Sequence, residues 1–199
     1  MNIRVELIQT IVFFAVMAGW FTFAAIFIFR RHPQAEPTRK RERTSIIGLV
    51  LQSLSYAIVW GAWRRPPSPF IEGSGILLEI VLAILALAIE FCSIWLVLSA
   101  IRTLGKQWSL TARVTEGHRL VVEGPYSIVR NPIYTGMLGM LLATGVALSH
   151  WPNLLIGIVV FLIGTMIRVR SEEKLLREAF GPQFEAYSSR VRAIIPGLY

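Results

Sequence analysis

Five stretches of this chain are apolar over enough consecutive residues to cross a lipid hydrocarbon layer, and this narrows the possible folds more than any other feature. A layer roughly 30 Å thick takes about 20 helical residues. The stretches run near Val5 to Phe29, Ser45 to Trp63, Ile76 to Leu104, Ile133 to Ser149 and Trp151 to Arg168. Of the 199 residues, 54% are hydrophobic and only 16% charged, and the mean hydropathy is +0.58. That is too much apolar surface for an ordinary soluble domain. The expected fold is an all-α, multi-pass integral membrane bundle of five transmembrane helices.

Ser149-His-Trp-Pro-Asn153 is all that joins the fourth and fifth stretches, so they are predicted to form an antiparallel helical hairpin, with Pro152 supporting the tight turn. Five crossings put the two chain ends on opposite sides. The segment from Arg30 to Arg43 holds six basic residues, that from Arg102 to Pro132 five, and the tail from Arg168 six. Only Arg4, Arg64 and Arg65 fall on the other side. By the positive-inside rule the N-terminus is outside, and the 102–132 segment and the C-terminus are cytoplasmic. The net charge of +8 then reflects topology and contact with anionic head groups. It does not point to nucleic acid, because the charges are split among loops flanking apolar helices and no nucleic-acid motif accompanies them.

No cleavable signal peptide is expected, since the first apolar segment has no basic n-region and is too long for an h-region. Cys92 is the single cysteine and lies inside an apolar run, which excludes a disulfide framework or a cysteine metal site. It is read as packing. The 30–43 segment, with two prolines and dense charge, is predicted to be an irregular surface loop. Pro-rich and Gly-rich residues 64–75 form a turn region, and their Gly-Ser-Gly lacks the strand and helix that a dinucleotide fingerprint needs. In the third stretch Glu79 lies near the outer end and Glu90 near the middle. A mid-membrane carboxyl is a candidate functional group. The competing reading is a Glu90 protonated or hydrogen-bonded to Gln52 or Ser55.

Two polar clusters stand against this apolar background. The first, His118 to Tyr134, lies between two apolar segments. Its Asn131-Pro132 pairs a favoured N-cap with a favoured first helical residue, so a helix is predicted to begin at Pro132 with its positive dipole end at the interface. Such an end attracts carboxylates and phosphates, though the pair is equally a well-built helix start. Gly124-Pro125-Tyr126 reads as a turn. Tyr126 and Tyr134 offer aromatic faces to a flat ring or a cation, or serve as interfacial anchors. Gly136 and Gly139 permit close approach of a ligand or of another helix. The histidines His32, His118 and His150 do not assemble a metal site. The second cluster, Arg168-Val-Arg-Ser-Glu-Glu173, starts where the last apolar run stops. Arg168 and Glu172, four apart, share a helical face. The alternative is an amphipathic helix whose Leu175, Leu176 and Phe180 dock on head groups before Gly181-Pro182.

Together, His-x-Leu-Val-x-x-Gly-x-Tyr-x-x-x-Arg-Asn-Pro-x-Tyr, a helical hairpin, and Glu-Glu-x-x-Leu-x-x-x-Phe-Gly-x-x-(Phe/Tyr)-x-x-Tyr resemble the isoprenylcysteine carboxyl methyltransferase family and its phospholipid methyltransferase relatives. The resemblance covers roughly Leu104 to Tyr199. It implies an S-adenosylmethionine-dependent methyltransferase with a cytosolic-face cofactor pocket and a lipid-like or lipidated acceptor that enters from the bilayer. It implies one structural domain, with residues 1–103 as scaffold and lipid access and 104–199 as the cofactor-binding half. Residues matching cofactor positions are His118, Arg119, Leu120, Val121, Tyr126, Asn131, Pro132, Ile133, Tyr134 and Glu172. Arg168 matches the position that faces the acceptor carboxylate in the prenylcysteine enzymes. Asn131 stands where those enzymes carry His, and Thr111 where they carry Gln.

Methyl transfer from a sulfonium is an in-line displacement, in which aligning donor and acceptor supplies several kcal/mol of the barrier, with no metal needed. Glu172 and the helix start at Pro132 are expected to hold the zwitterionic end of the cofactor. Arg168 would position a carboxylate acceptor. An amine acceptor must lose a proton, which Glu173 or Tyr134 would relay. Arg168, Glu172 and Glu173 are thus the candidate catalytic residues. The alternatives are a phosphatidylethanolamine-type N-methyltransferase, an NADPH-dependent enzyme of sterol-reductase type, and a non-enzymatic helix bundle. The expected location is a membrane, the inner membrane in a bacterium, with the site facing the cytoplasm.

Overall fold

A computed structural model describes residues 3–29, 38–41, 44–64, 70, 75–105, 108, 113–115 and 119–195. Its helices are α1 (Ile3–Phe29), α2 (Ser45–Gly61), α3 (Ile76–Leu104), α4 (Pro132–Leu148), α5 (Trp151–Phe180) and α6 (Pro182–Ser188). The first four coincide closely with the first four apolar stretches, and α5 begins where the fifth does. α1, α3 and α5 have 27, 29 and 30 residues and are long and apolar enough to cross a membrane. α2 and α4 are apolar but have only 17 residues each. At 1.5 Å per residue they reach about 26 Å.

Two expectations change here. Residues 30–43 do not form an irregular loop throughout. β1 (Thr38–Arg41) pairs antiparallel with β2 (Arg113–Thr115), with Thr38 opposite Thr115 and Arg41 opposite Arg113. Two extended segments that meet at one end of the bundle satisfy their backbone groups by pairing. Nor does the last apolar helix stop at Arg168. No proline or glycine interrupts 165–180, and α5 runs through the charged cluster to Gly181, whose φ of 49° ends it ahead of Pro182. Residues 168–173 therefore sit on a continuous extension of this long apolar helix.

The bundle is built from two close helix pairs, α2 with α5 and α3 with α4. A Cβ added at Gly48 would lie 2.5 Å from the Gly164 carbonyl oxygen and 2.5 Å from Arg168 Cγ. One added at Gly139 would fall 2.0 Å from Ser93 Oγ. Small residues let backbones approach where lipid offers no hydrophobic drive for association. Gly136 and Gly139 thus accommodate α3. The buried face of α2 is Ser45, Gly48, Gln52, Ser55 and Val59, small and polar, while Ile46, Ile47, Val50 and Leu54 face outward. A soluble helix would show the reverse polarity.

Glu90 does not bond to Gln52 or Ser55. Gln52 turns to α5, and Ser55 donates to the Gln52 carbonyl of its own helix. The Glu90 carboxyl instead lies against Gly19 of α1, and its Oε1 has no hydrogen-bond partner among the described residues.

Candidate functional site

α4 begins at Pro132 as its sequence predicts, yet Asn131 makes no side-chain cap bond. Its backbone N–H and its side-chain amide both donate to the Ala193 carbonyl, each at 3.0 Å. Thr135 Oγ1 donates to the Ile194 carbonyl at 2.6 Å, and the Arg130 N–H to that of Arg192 at 2.7 Å. Residues after α6 therefore form a strap beneath the start of α4. Arg130 fastens it further, donating to the Ser188 carbonyl at 3.0 Å, to the Val191 carbonyl, and to Glu173 Oε1 at 2.8 Å. Tyr187 of α6 donates to the Tyr126 carbonyl at 2.6 Å.

One turn into α4, Tyr134 donates its hydroxyl to Glu172 Oε1 of α5. The Arg168 guanidinium lies over the Tyr134 ring, 5.0 Å from its centre, and Nη2 is 3.7 Å from Glu172 Oε1. Arg168 Nη1 donates to Gln52 Oε1 at 3.3 Å, and Gln52 Nε2 donates to Thr165 Oγ1 at 2.8 Å. Three helices thus converge on one charged cluster. Within it the Arg168 side chain is 6% exposed and that of Glu172 27%, so the arginine is sealed in and the carboxylate lies toward the rim.

Tyr126 occupies a short 3-10 turn, Gly124–Ser127, and is buried with Val121 and Ala100. Burial, then the Glu172 carboxylate, then Tyr187 push its phenol well above the ordinary range. Tyr126 stays neutral and shares the field of Glu172. Ile133 packs beside this cluster, Pro132 is buried and Leu120 partly so. Arg119 is exposed and pairs with Glu123 at 3.0 Å. His118 and Thr111 lie outside the described residues.

The structure therefore brings Tyr126, Tyr134, Arg168 and Glu172 together, and directs Asn131 and Glu173 to the strap. Gln52 and Thr165 also meet this cluster and Arg130 its strap, though none of the three is among the expected site residues. A signal for the first was present, since Ser45, Gln52 and Ser55 recur at helical spacing in an otherwise apolar run. Among the described residues no group of three His, Cys, Asp or Glu side chains could hold a metal.

This donor set fits an S-adenosyl cofactor by its chemistry. A carboxylate at the rim answers an ammonium, and neutral aromatic faces suit a sulfonium and a flat base. Comparison with known proteins shows the family. The family model described as phospholipid methyltransferase matches residues 81–183, over half of the chain. Protein-S-isoprenylcysteine O-methyltransferase B of Arabidopsis thaliana is 34% identical over 100 residues, covering 49% of this chain and 51% of that protein. A probable protein-S-isoprenylcysteine O-methyltransferase of Oryza sativa subsp. indica is 28% identical over 99 residues, covering 49% and 52%. The cobalt-zinc-cadmium resistance protein CzcN of Cupriavidus metallidurans is 29% identical over 100 residues, covering 50% and 46%. The chain spans about half the length of the curated relatives it matches.

Proposed function

This chain belongs to the phospholipid methyltransferase family, and from that premise we propose a membrane enzyme that moves a methyl group from S-adenosylmethionine to a lipid-like acid of the prenylcysteine type. The observation that carries the reading is the convergence of Tyr134, Arg168 and Glu172 from α4 and α5 inside the family-matched residues. The prenylcysteine class comes from the names of the two plant relatives. In this reading α1 to α5 each cross the bilayer, the N-terminus is outside, and the cluster opens to the cytoplasm between residues 104–199 and the bilayer.

The bound cofactor supplies an electrophilic methyl on a sulfonium. Glu172 holds the ammonium, and the Tyr134 hydroxyl fixes the carboxylate in place. Tyr126 and Tyr134 present aromatic faces, while Leu120, Val121, Pro132 and Ile133 exclude water around them, with His118, Arg119 and Asn131 at the margin. Arg168 would hold the acceptor carboxylate through its guanidinium. A carboxylate is already nucleophilic, so this route needs no general base. Glu173 keeps the geometry indirectly, since with Arg130 it secures the strap under α4.

The family's description supports a second reading, in which the acceptor is a phospholipid; if its methylated group is an amine, a carboxylate or phenol of the cluster receives the proton. Purified protein given methyl-labelled S-adenosylmethionine with either N-acetyl-S-farnesylcysteine or phosphatidylethanolamine vesicles separates the two. Base-labile label on the acid is the result expected from an ester. Label only on the lipid amine establishes the second reading, and label on neither overturns both.

A further inference from the structure

We propose that α2, which lies outside the family-matched residues, sets the acceptor site's preference for an acid, with Gln52 as the positioning residue for Arg168. The inference rests on the reading of Arg168 as the group that meets the acceptor. A guanidinium reads a carboxylate through a planar fork of N–H donors, so its orientation counts as much as its charge. Besides the Glu172 carboxylate 3.7 Å from Nη2, three features bear on that orientation here. The stem lies against Gly48, where even a methyl would fall 2.5 Å from Arg168 Cγ. The Tyr134 ring supports one face of the head. Gln52 sets its rotation by accepting from Nη1.

Gln52 is itself held from both sides. Its oxygen takes the Arg168 N–H and its amide nitrogen gives to Thr165, so reversing the amide would turn its NH2 toward the guanidinium. Only 1% exposed, it is a buried polar group in an apolar bundle, a position that is unfavourable unless every bond is made. Its neutrality is the decisive property. A neutral acceptor orients the guanidinium without adding a second anion to the Glu172 carboxylate already beside it.

The seam around it is lined accordingly. Gly157 lies against Ser55 and Val59, and Gly164 against Gly48, Leu51 and Gln52. Extended by one turn, that antiparallel register brings Ser45 of α2 level with Ser171 of α5, just past Arg168. Both hydroxyls are buried and have no hydrogen-bond partner among the described residues. Two unpartnered hydroxyls beside an oriented guanidinium can donate to an anionic oxygen pair, and they do not suit a hydrocarbon tail.

The test uses the full chain in detergent with three probes measured separately by calorimetry: S-adenosylmethionine, N-acetyl-S-farnesylcysteine and the carboxamide of the latter. Wild type is expected to prefer the acid over the amide. Gln52→Glu is isosteric and retains both bonds, with the Thr165 hydroxyl now donating. It places a competing anion on Arg168, which should weaken the acid about tenfold while leaving the amide and the cofactor unchanged. Gln52→Leu, which frees the guanidinium to rotate, should reduce the preference for acid over amide without moving cofactor affinity. A general packing role would instead lower all three affinities together, and that result would overturn the inference. So would an unchanged acid preference in Gln52→Glu, or a wild type that binds the cofactor but takes acid and amide equally. Failure of wild type to bind S-adenosylmethionine would be a different outcome, removing the methyltransferase reading on which this inference stands.

Discussion

At one end of the bundle Arg64 donates to the carbonyls of Val146 and Ala147 at 2.9 and 2.8 Å, closing the C-terminus of α4, and stands over the Phe70 ring. Its neighbour Glu79 accepts from Gln9 at 2.7 Å and from the Phe70 N–H at 3.1 Å. At the other end Arg168 is held by a glutamine and a ring, 3.7 Å from a glutamate that one phenol engages. Both ends bury an arginine near a glutamate, but only the first spends its arginine on backbone carbonyls. There, burial lowers the Arg64 pKa and Glu79 opposes that shift. A cation on a helix C-terminus is a structural use of charge. In the proposed reading the second arrangement orients charge toward an acceptor, and a buried ion in a membrane protein is costly enough to call for a role.

Breaking the first end should do most to stability. Arg64→Ala leaves α4 carbonyls and Glu79 buried without their cation, and removal of one partner from such a group costs about 3 to 5 kcal/mol. A thermal unfolding scan in detergent should show a large fall, with any remaining folded protein still binding the cofactor. Arg168→Ala should invert that pattern, with methyl transfer to an acid falling about a hundredfold as alignment is lost, and a smaller change in the same scan. If both arginines affect stability alike, the distinction between the two ends fails.

Arg130→Ala is intermediate, because it removes the bonds to Glu173, Ser188 and Val191 together. Hydrogen exchange should rise across residues 188–195, and turnover should drop several-fold through a looser start to α4. Protection unchanged in that segment would show that the strap is held without Arg130.

The smallest effect concerns pH. Burial pushes the Tyr187 phenol up to about 12 from 10.0, with Arg130 pulling it down and Glu173 pushing it up. A pKa raised by folding means that the neutral form is favoured in the native state. Its contribution is complete below pH 10 and lost as pH rises from 10 toward 12. Tyr187→Phe should therefore narrow its stability deficit over that window. A deficit constant from pH 8 to 11 would deny that the phenol's protonation contributes.

The same contrast explains what the sequence made legible. Long apolar runs specify helices almost by themselves, so five helices begin close to where composition places them. The motif from His118 to Tyr134 and the Arg168–Glu172 pair also pointed to the region where three helices meet. Less visible were features that depend on which faces touch. Gln52 read as a partner for Glu90 because both are polar in apolar surroundings, and only the α2·α5 packing shows that it faces Thr165 and Arg168. Arg64 read as a topological charge, since nothing local shows that α4 ends beside it. The extension of α5 through 168–180 was obscured by a change in polarity, which alters what a helix faces without ending it. The pairing of β1 with β2 joins segments more than 70 residues apart, and no short-range pattern announces it.

The central claim is that the Tyr134–Arg168–Glu172 end holds an S-adenosyl cofactor, and calorimetry on detergent-purified protein tests it most directly. Wild type should bind S-adenosylmethionine and not NADPH. Glu172→Gln retains an oxygen for Tyr134 and so should remain folded, yet it should weaken cofactor binding at least tenfold by removing the charge that answers the ammonium. Binding of NADPH in place of S-adenosylmethionine, or equal cofactor affinity in wild type and Glu172→Gln, would contradict the account.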